Sequence, residues 1–247
     1  YILPGKKVIA VTGTHGKSTT TAMVGKILED SGFDPSVFVG AVVLDWGKNY
    51  HLGNSEYFVL EADEYQEKFL LYNPFISVIT AIEMDHPEFF ADFSIVKQAF
   101  KKFVDRTDRS GALVLGENVE LETANLPTVT AKSAKFELKL VGQLNQDNAS
   151  VAFEVVKLLG VSQERAKESL ENFSGISRRF EFKGEEAGVK VFDDYGHHPT
   201  AIKATVTAAL EKYRENRIWL VYQPHMFTRT KYLEKEFVET FKNLEIH

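Results

Sequence analysis

Cysteine is absent from the 247 residues, which excludes disulfides, thiolate nucleophiles and thiolate metal sites. No apolar run reaches bilayer-spanning length and no charged-then-apolar leader opens the sequence, so neither a membrane partner nor export is expected, and the cytoplasm is the expected location. Positive charge is also in short supply, with 29 Lys and Arg against 35 Asp and Glu and a net charge of -6. That balance argues against a general nucleic-acid or anionic-membrane binder and makes any phosphate site a local one. An initiator Met is missing as well, Tyr1 standing first, which suggests a piece of something longer. What is present is a 44% hydrophobic, 26% charged composition, enough for a sizeable core and two ordinary domains.

The chain is organised around Val8 to Thr21, VIAVTGTHGKSTTT. A β-branched run enters a glycine turn, and a helical pattern with Val24, Ile27 and Leu28 on one face follows from near Thr19. Bare N–H groups at such a strand-to-helix loop form a seat for anionic oxygens, Lys17 adds mobile positive charge, and the Ser18 hydroxyl suits Mg²⁺. The string departs from the usual P-loop spacing, because Val11 stands where the first Gly is expected. Gly13, Thr14, His15, Gly16, Lys17, Ser18 and Thr19 are the candidate phosphate-binding residues.

Two further apolar runs repeat a device. Tyr57 to Leu60 ends in Glu61, Asp63 and Glu64, and Ile76 to Ile82 ends in Glu83, Asp85 and His86. Parallel strands would deliver these groups to the sheet edge where ligands bind. Glu61 is the best placed for Mg²⁺, whereas Asp63 and Glu64 equally suit an acidic helix start. His86 could ligate a second metal or orient a phosphate. Strands are also expected at Ser36 to Val43, Ala112 to Leu115 and Thr128 to Ala131, with helices at Ser94 to Val104, Ser150 to Leu159 and Gln163 to Phe173. Asn145 could cap the helix from Ser150, and Asn145 and Asn148 share a face from which amides could pair with adenine.

After Phe173 the composition changes, which sets the expected division at 1–174 and 175–247. Arg179 to Lys183 and Val189 to Phe192 read as a hairpin, followed by a helix from Thr200 to about Tyr213, a strand from Ile218 to Tyr222 and a helix from about Lys231 to Leu244. Asp194, Tyr195, His197 and His198 follow the hairpin, and His225 and Arg229 follow the expected strand. Zinc at the adjacent histidines is disfavoured, since neighbours in an extended loop point apart and no third ligand stands at suitable spacing.

The strings GTHGKSTTT, EADEY, the DH of IEMDH, a GxxNxxNA element, SRRFEF, DDYGHHPTAIKAT and QPHMFTRT resemble, in order and approximate spacing, the Mur ligase family over nearly the whole chain. The resemblance implies an α/β fold: a P-loop-type, mostly parallel sheet with helices on both faces, then a smaller, partial Rossmann-like domain. It implies an ATP-dependent ligase that joins L-alanine to UDP-N-acetylmuramate through an acyl phosphate, with ATP and Mg²⁺ as cofactors. A member acting on recycled murein tripeptide is the near alternative, and an ATP-binding or hydrolysing module without ligase activity is the alternative of another class. By resemblance Lys17 holds the β- and γ-phosphates, Ser18 and Glu61 take the first metal and His86 the second. Asn145 and Asn148 face adenine, Arg179 reaches ATP across a cleft, and Asp194 takes the ribose. Tyr195, His197, His225 and Arg229 line the amino-acid side, with His197 also counted among the catalytic groups. Leu144 and Met226 depart from the family pattern, which has His and Arg there. The resemblance also implies an N-terminal nucleotide-sugar domain and a longer C-terminal domain than this sequence contains.

Overall fold

Alternation along the first strand decides the architecture. In the computed structural model, which describes residues 5–122, 126–244 and 246, β1 (Lys7–Thr12) sends Ile9 and Val11 into one apolar cluster and Val8 and Ala10 into another. A strand buried on both faces belongs inside a sheet covered on both sides. The sheet has seven strands in the order β3-β2-β4-β1-β5-β6-β7. They are β1, β2 (Ser36–Val43), β3 (Lys48–His51), β4 (Tyr57–Glu61), β5 (Ile76–Ile79), β6 (Ala112–Leu115) and β7 (Thr128–Thr130). Every neighbouring pair is parallel except β2 with β3. The expected P-loop-type α/β sheet is therefore the observed one.

Helices α1 (Lys17–Asp30), α3 (Gln143–Leu158) and α4 (Gln163–Asn172) cover one face, burying Met23, Val24, Ile27, Val151 and Leu170 against Val59, Val78 and Val114. On the other face α2 (Phe93–Val104) and a 3₁₀ segment, Tyr65–Leu71, pack an aromatic core. There Phe69 stacks on Phe103 at 4.9 Å and meets Phe100 edge-on at 5.5 Å. Each such ring removed from water contributes about 2–3 kcal/mol.

Several boundaries differ from the sequence expectation, each for a local reason. Strand β5 ends at Ile79 rather than Ile82: Thr80 N–H still donates to the carbonyl oxygen of Thr12, the last residue of β1, at 3.0 Å, but Ala81 O then turns to the loop beyond and accepts from Thr14 N–H at 2.9 Å. Helix α3 begins at Gln143 rather than Ser150, since Gly142 takes a left-handed φ of 88° and Gln146 clasps the Phe136 backbone at 2.8 and 3.1 Å. Asn145 therefore lies in the first turn and does not cap a later helix; its Nδ2 donates to Val141 O at 2.7 Å. Strand β3 carries no strong apolar pattern in KNYH and is visible only through its antiparallel register with β2.

Beyond α4, residues 175–177 run beside the end of β2, where Gly175 O accepts from Leu44 N–H at 3.0 Å and Ser177 N–H donates to Val42 O at 2.8 Å. The expected hairpin follows as β8 (Glu181–Glu186) and β9 (Val189–Asp193). Helix α5 (Pro199–Lys212) has Pro199 in its first turn, a position that needs no N–H. Residues 218–222 do not form the expected strand. Their alternation survives, with Leu220 and Tyr222 turned toward α5 and α7 while Trp219 is 72% and Val221 94% exposed, but they join no ladder. The final helix is broken in two, α6 (Phe227–Tyr232) and α7 (Glu234–Asn243), because buried Leu233 at the junction packs with Ile202, Val206 and Phe237.

Candidate active site

Because β1 lies between β4 and β5, the segments leaving the carboxyl ends of these strands converge. The loop after β1 is shaped by two glycines. Gly13 has a φ of 130° and Gly16 of 82°, values that only glycine adopts without strain. Space excludes side chains there too: a Cβ at Gly13 would lie 2.3 Å from Thr80 Oγ1, and one at Gly16 2.2 Å from Asn148 Oδ1. Helix α1 then opens with no side-chain cap and no acidic residue in its first turn. Its N–H groups and positive dipole end make a seat for an anion.

Lys17 reaches back to Gly13 O at 2.7 Å and pairs with the Glu64 carboxylate at 2.9 and 3.0 Å. Burial works against its ammonium, yet the charge and hydrogen bond of Glu64, with the fields of Glu61 and Asp63, outweigh it and hold its pKa above the ordinary lysine value. Ser18 and Thr19 follow, half-buried and buried. Glu64 reads in the sequence as a helix start, but here it is the partner of the loop lysine; only its position just past a buried strand signals this.

The carboxylates do not all gather where the sequence suggests. Glu61 accepts from Gly40 N–H at 2.6 Å and acts on Lys17 through its field. His86 instead joins Glu64 and Asp85, with potential ligand atoms within 4.8 Å of one another. Glu88 holds His86 Nδ1 at 3.1 Å and the Tyr65 ring packs on the imidazole at 4.5 Å. Lys17 and His86 thus meet through Glu64, while Glu61 reaches the amine through its field.

The second lobe closes the site. A cleft is bounded by Thr14, His15, Gly16 and Thr19 on one wall and by Asn145 and Asn148 of α3 on another. Arg179, Asp194 and His197 complete it from across the chain. Asp194 shapes its own loop by accepting from Phe180 N–H at 2.9 Å and Gly196 N–H at 2.7 Å. Tyr195, His197 and His225 form a ring cluster with centroids 4.9 to 5.8 Å apart. His197 donates from Nδ1 to Tyr195 O at 2.9 Å when that nitrogen carries the proton, and burial with the nearby Arg229 charge lowers its pKa to about 4, leaving a neutral imidazole at pH 7.

Arg229 is buried, and its Nε donates to Asp85 Oδ1 at 2.7 Å. Burial raises the Asp85 pKa, but Arg229 by hydrogen bond and charge overrides it and brings it down to about 2. Glu83, also reached by the second lobe, falls to about 2 because His15, Thr200 and His198 outweigh its desolvation. Glu83 does not stand out in the sequence beyond its place after an apolar run, and Asp85, though part of the DH string, carries no sign there of its pairing with Arg229.

Fold and site together define a phosphate-loop α/β protein whose binding cleft is completed by a second lobe. The Mur ligase middle domain model matches residues 11–123, and the model of the Mur ligase glutamate ligase domain matches residues 178–245. The chain belongs to the Mur ligase family. It is 38% identical to the UDP-N-acetylmuramate--L-alanine ligase of Caldicellulosiruptor bescii, over 96% of this chain and 60% of that one, and 35% identical to the ligase of the same name from Alkaliphilus metalliredigens, over 96% and 59%. The structure of UDP-N-acetylmuramate-alanine ligase from Thermotoga maritima superposes with a TM-score of 0.78 at 29% identity, covering 98% of this chain and 66% of the other. A murein peptide ligase from Psychrobacter arcticus gives 0.69 at 26% identity, over 91% and 58%. The chain spans about three fifths of the length of the curated relatives it matches. Among the described residues no helix is long and apolar enough to cross a membrane.

Proposed function

We propose that this chain carries the ATP-binding and ligation centre of a cytoplasmic ligase that joins L-alanine to UDP-N-acetylmuramate through an acyl phosphate. The observation that carries the reading is the single cleft in which the phosphate loop, Asn145 and Asn148, and Arg179 and Asp194 all face one another. A carboxylate is a poor electrophile; phosphorylation by ATP gives it a leaving group that an amine can displace, and charge control dominates both steps. The loop fits a triphosphate tail because its glycines leave no room for side chains and its helix start is uncapped. Lys17 would leave Glu64 to hold the β- and γ-phosphates. Asn145 and Asn148 would face adenine, Arg179 the phosphates and Asp194 the ribose.

Mg²⁺ fits the oxygen-rich donor set: Ser18 and Glu61 would hold one ion and His86 another, where the metal would neutralise developing phosphate charge. Tyr195, His197, His225 and Arg229 would line the amino-acid side, with His197, neutral and also counted among the catalytic groups, able to accept a hydrogen bond from the incoming amine. In the domain division of this reading, 1–174 binds ATP and 175–247 supplies the closing lobe.

The test is phosphate release with Mg·ATP, UDP-N-acetylmuramate and L-alanine, alongside calorimetric binding of Mg·ATP. Release that needs both substrates supports the ligase; hydrolysis indifferent to them supports an ATP-hydrolysing module. Replacing L-alanine by the murein tripeptide separates the recycling alternative. Lys17→Ala is expected to weaken Mg·ATP binding or lower turnover by about 10²–10³-fold.

A further inference from the structure

Among the described residues Glu83 is the one carboxylate that touches both the phosphate loop and the beginning of α5. Its Oε2 lies 3.3 Å from His15 Nε2 in the loop, accepts from Thr200 Oγ1 at 2.9 Å, and lies 3.8 Å from His198 Nδ1. Its backbone is fixed to the same loop, since Glu83 N–H donates to Thr14 Oγ1 at 2.8 Å. The His15 and His198 rings stand 4.8 Å apart and tilted, so the loop and α5 also touch directly. No hydrogen bond joins His15 to Thr200 among the described residues; Glu83 is the group in reach of both, hydrogen-bonded to Thr200 and in 3.3 Å contact with the His15 ring.

The other polar links between the lobes have a different reach. Arg229 pairs with Asp85, and Thr228 Oγ1 donates to Glu88 at 3.4 Å. Both tie the segment after β5 to α6, and neither touches the loop after β1. They can hold the second lobe in place but cannot report what the loop is doing. Among the described residues Glu83 alone has one oxygen shared between a loop side chain and an α5 side chain, so a displacement of either partner changes the contact available to the other.

We propose that Glu83 is a positioning residue that couples the conformation of the phosphate loop to the docking of the second lobe. The inference deepens the nucleotide reading and rests on it for the identity of the effector, but the coupling is a property of the chain without nucleotide. A guest that shifts His15 releases or tightens the Glu83 carboxylate, and the start of α5, with Asp194 and His197 just before it, follows. Alignment of the second-lobe groups is then linked to occupancy of the loop by a single side chain.

The experiment is hydrogen exchange followed by mass spectrometry on the whole chain, with Thr200→Val and His15→Phe, a swap that keeps a ring against His198. Thr200→Val is expected to speed exchange in peptides covering the loop at 12–19 by about tenfold, the opening factor for a lost hydrogen bond to a charged group, and His15→Phe, which loses a polar contact rather than a hydrogen bond, to speed it in peptides covering 196–206 by a smaller factor. Both cross-effects should vanish in a Glu83→Ala background, and shrink in Glu83→Gln, which keeps an acceptor without the charge. Cross-effects that persist undiminished in Glu83→Ala, or that are absent from the parent chain, overturn the proposal. Should Glu83→Ala fail to fold, Glu83→Gln decides by the same comparison. Mg·ATP titrated into the same set separates the two readings: if it does not bind while the cross-effects appear, the nucleotide reading falls and the coupling stands; if it binds and they do not appear, the reverse holds.

Discussion

The two lobes are built on different terms. In the first, buried aliphatic and aromatic residues fill both sides of a seven-stranded sheet, and Phe69, Phe100 and Phe103 are wholly enclosed. In the second, the buried cluster is Ile202, Val206, Leu233 and Phe237, while Trp219, Val221 and Phe227 stand 72%, 94% and 81% exposed. A sheet covered on two faces defines its own shape. A hairpin and three helices with that small a core depend on what they lean against, and here they lean on the first lobe through polar groups: Asp85, Glu83 and Glu88 to Arg229, Thr200 and Thr228. The first lobe supplies stability; the second supplies groups that must be placed.

The largest effect should come from the first core. Phe103→Ala is expected to destabilise the protein by about 4 kcal/mol, against about 2 kcal/mol for Phe237→Ala, whose small cluster can collapse around the gap. Urea unfolding followed by circular dichroism compares them, and equal losses would erase the contrast. Next comes the join. Arg229→Leu leaves the Asp85 carboxylate buried without its partner and should cost about 3 kcal/mol, and limited proteolysis should cut first between residues 213 and 226.

Acid should act on the same join. Asp85, whose pKa drops from 3.8 to about 2, binds fewer protons folded than unfolded; its contribution of about 2 kcal/mol is present above pH 4 and lost as pH falls toward 2. His197, lowered from 6.5 to about 4, sheds stability earlier, between those two values, because the unfolded chain takes up a proton that the folded site refuses. Stability measured from pH 7 to 3 should therefore decline in two stages, the first from His197 and His198, whose burial also lowers its pKa, and the second from Asp85 and Glu83; the first should shrink in His197→Asn. Smallest of all, Trp219→Gln should change unfolding free energy by less than about 0.5 kcal/mol, since the ring touches almost nothing; a larger loss would mean that the exposed ribbon is part of a core.

Much of the first lobe was legible because its strands alternate between two apolar faces and its phosphate loop carries glycines that backbone geometry demands. Helix α2 and Ser162 at the head of α4 follow from periodicity and capping alone; the Ser162 hydroxyl accepts from Arg165 N–H at 3.3 Å. What escaped was whatever depends on distant partners. Glu64 differs from a helix-start glutamate only in facing Lys17, and Glu83 from a loop glutamate only in facing His15 and Thr200. The stretch 218–222 has a strand's alternation, yet a strand is a relation between chains of atoms, and no neighbour pairs with it among the described residues. Asn145 misled because Gly142 and Gln146 start the helix before its first apolar residue.

The two asparagines of α3 have a consequence for the choice of base. Asn145 already donates its NH₂ to Val141 O, and Asn148 already accepts at Oδ1 from Thr20 Oγ1 at 3.3 Å. Asn145 keeps its carbonyl oxygen and one N–H, and Asn148 its NH₂, so the wall can present an acceptor beside a donor. In the proposed reading the edge of adenine, an amino group next to a bare ring nitrogen, would meet that pair, and the groups it would find free are set by Val141 O and Thr20 Oγ1 before any ligand arrives.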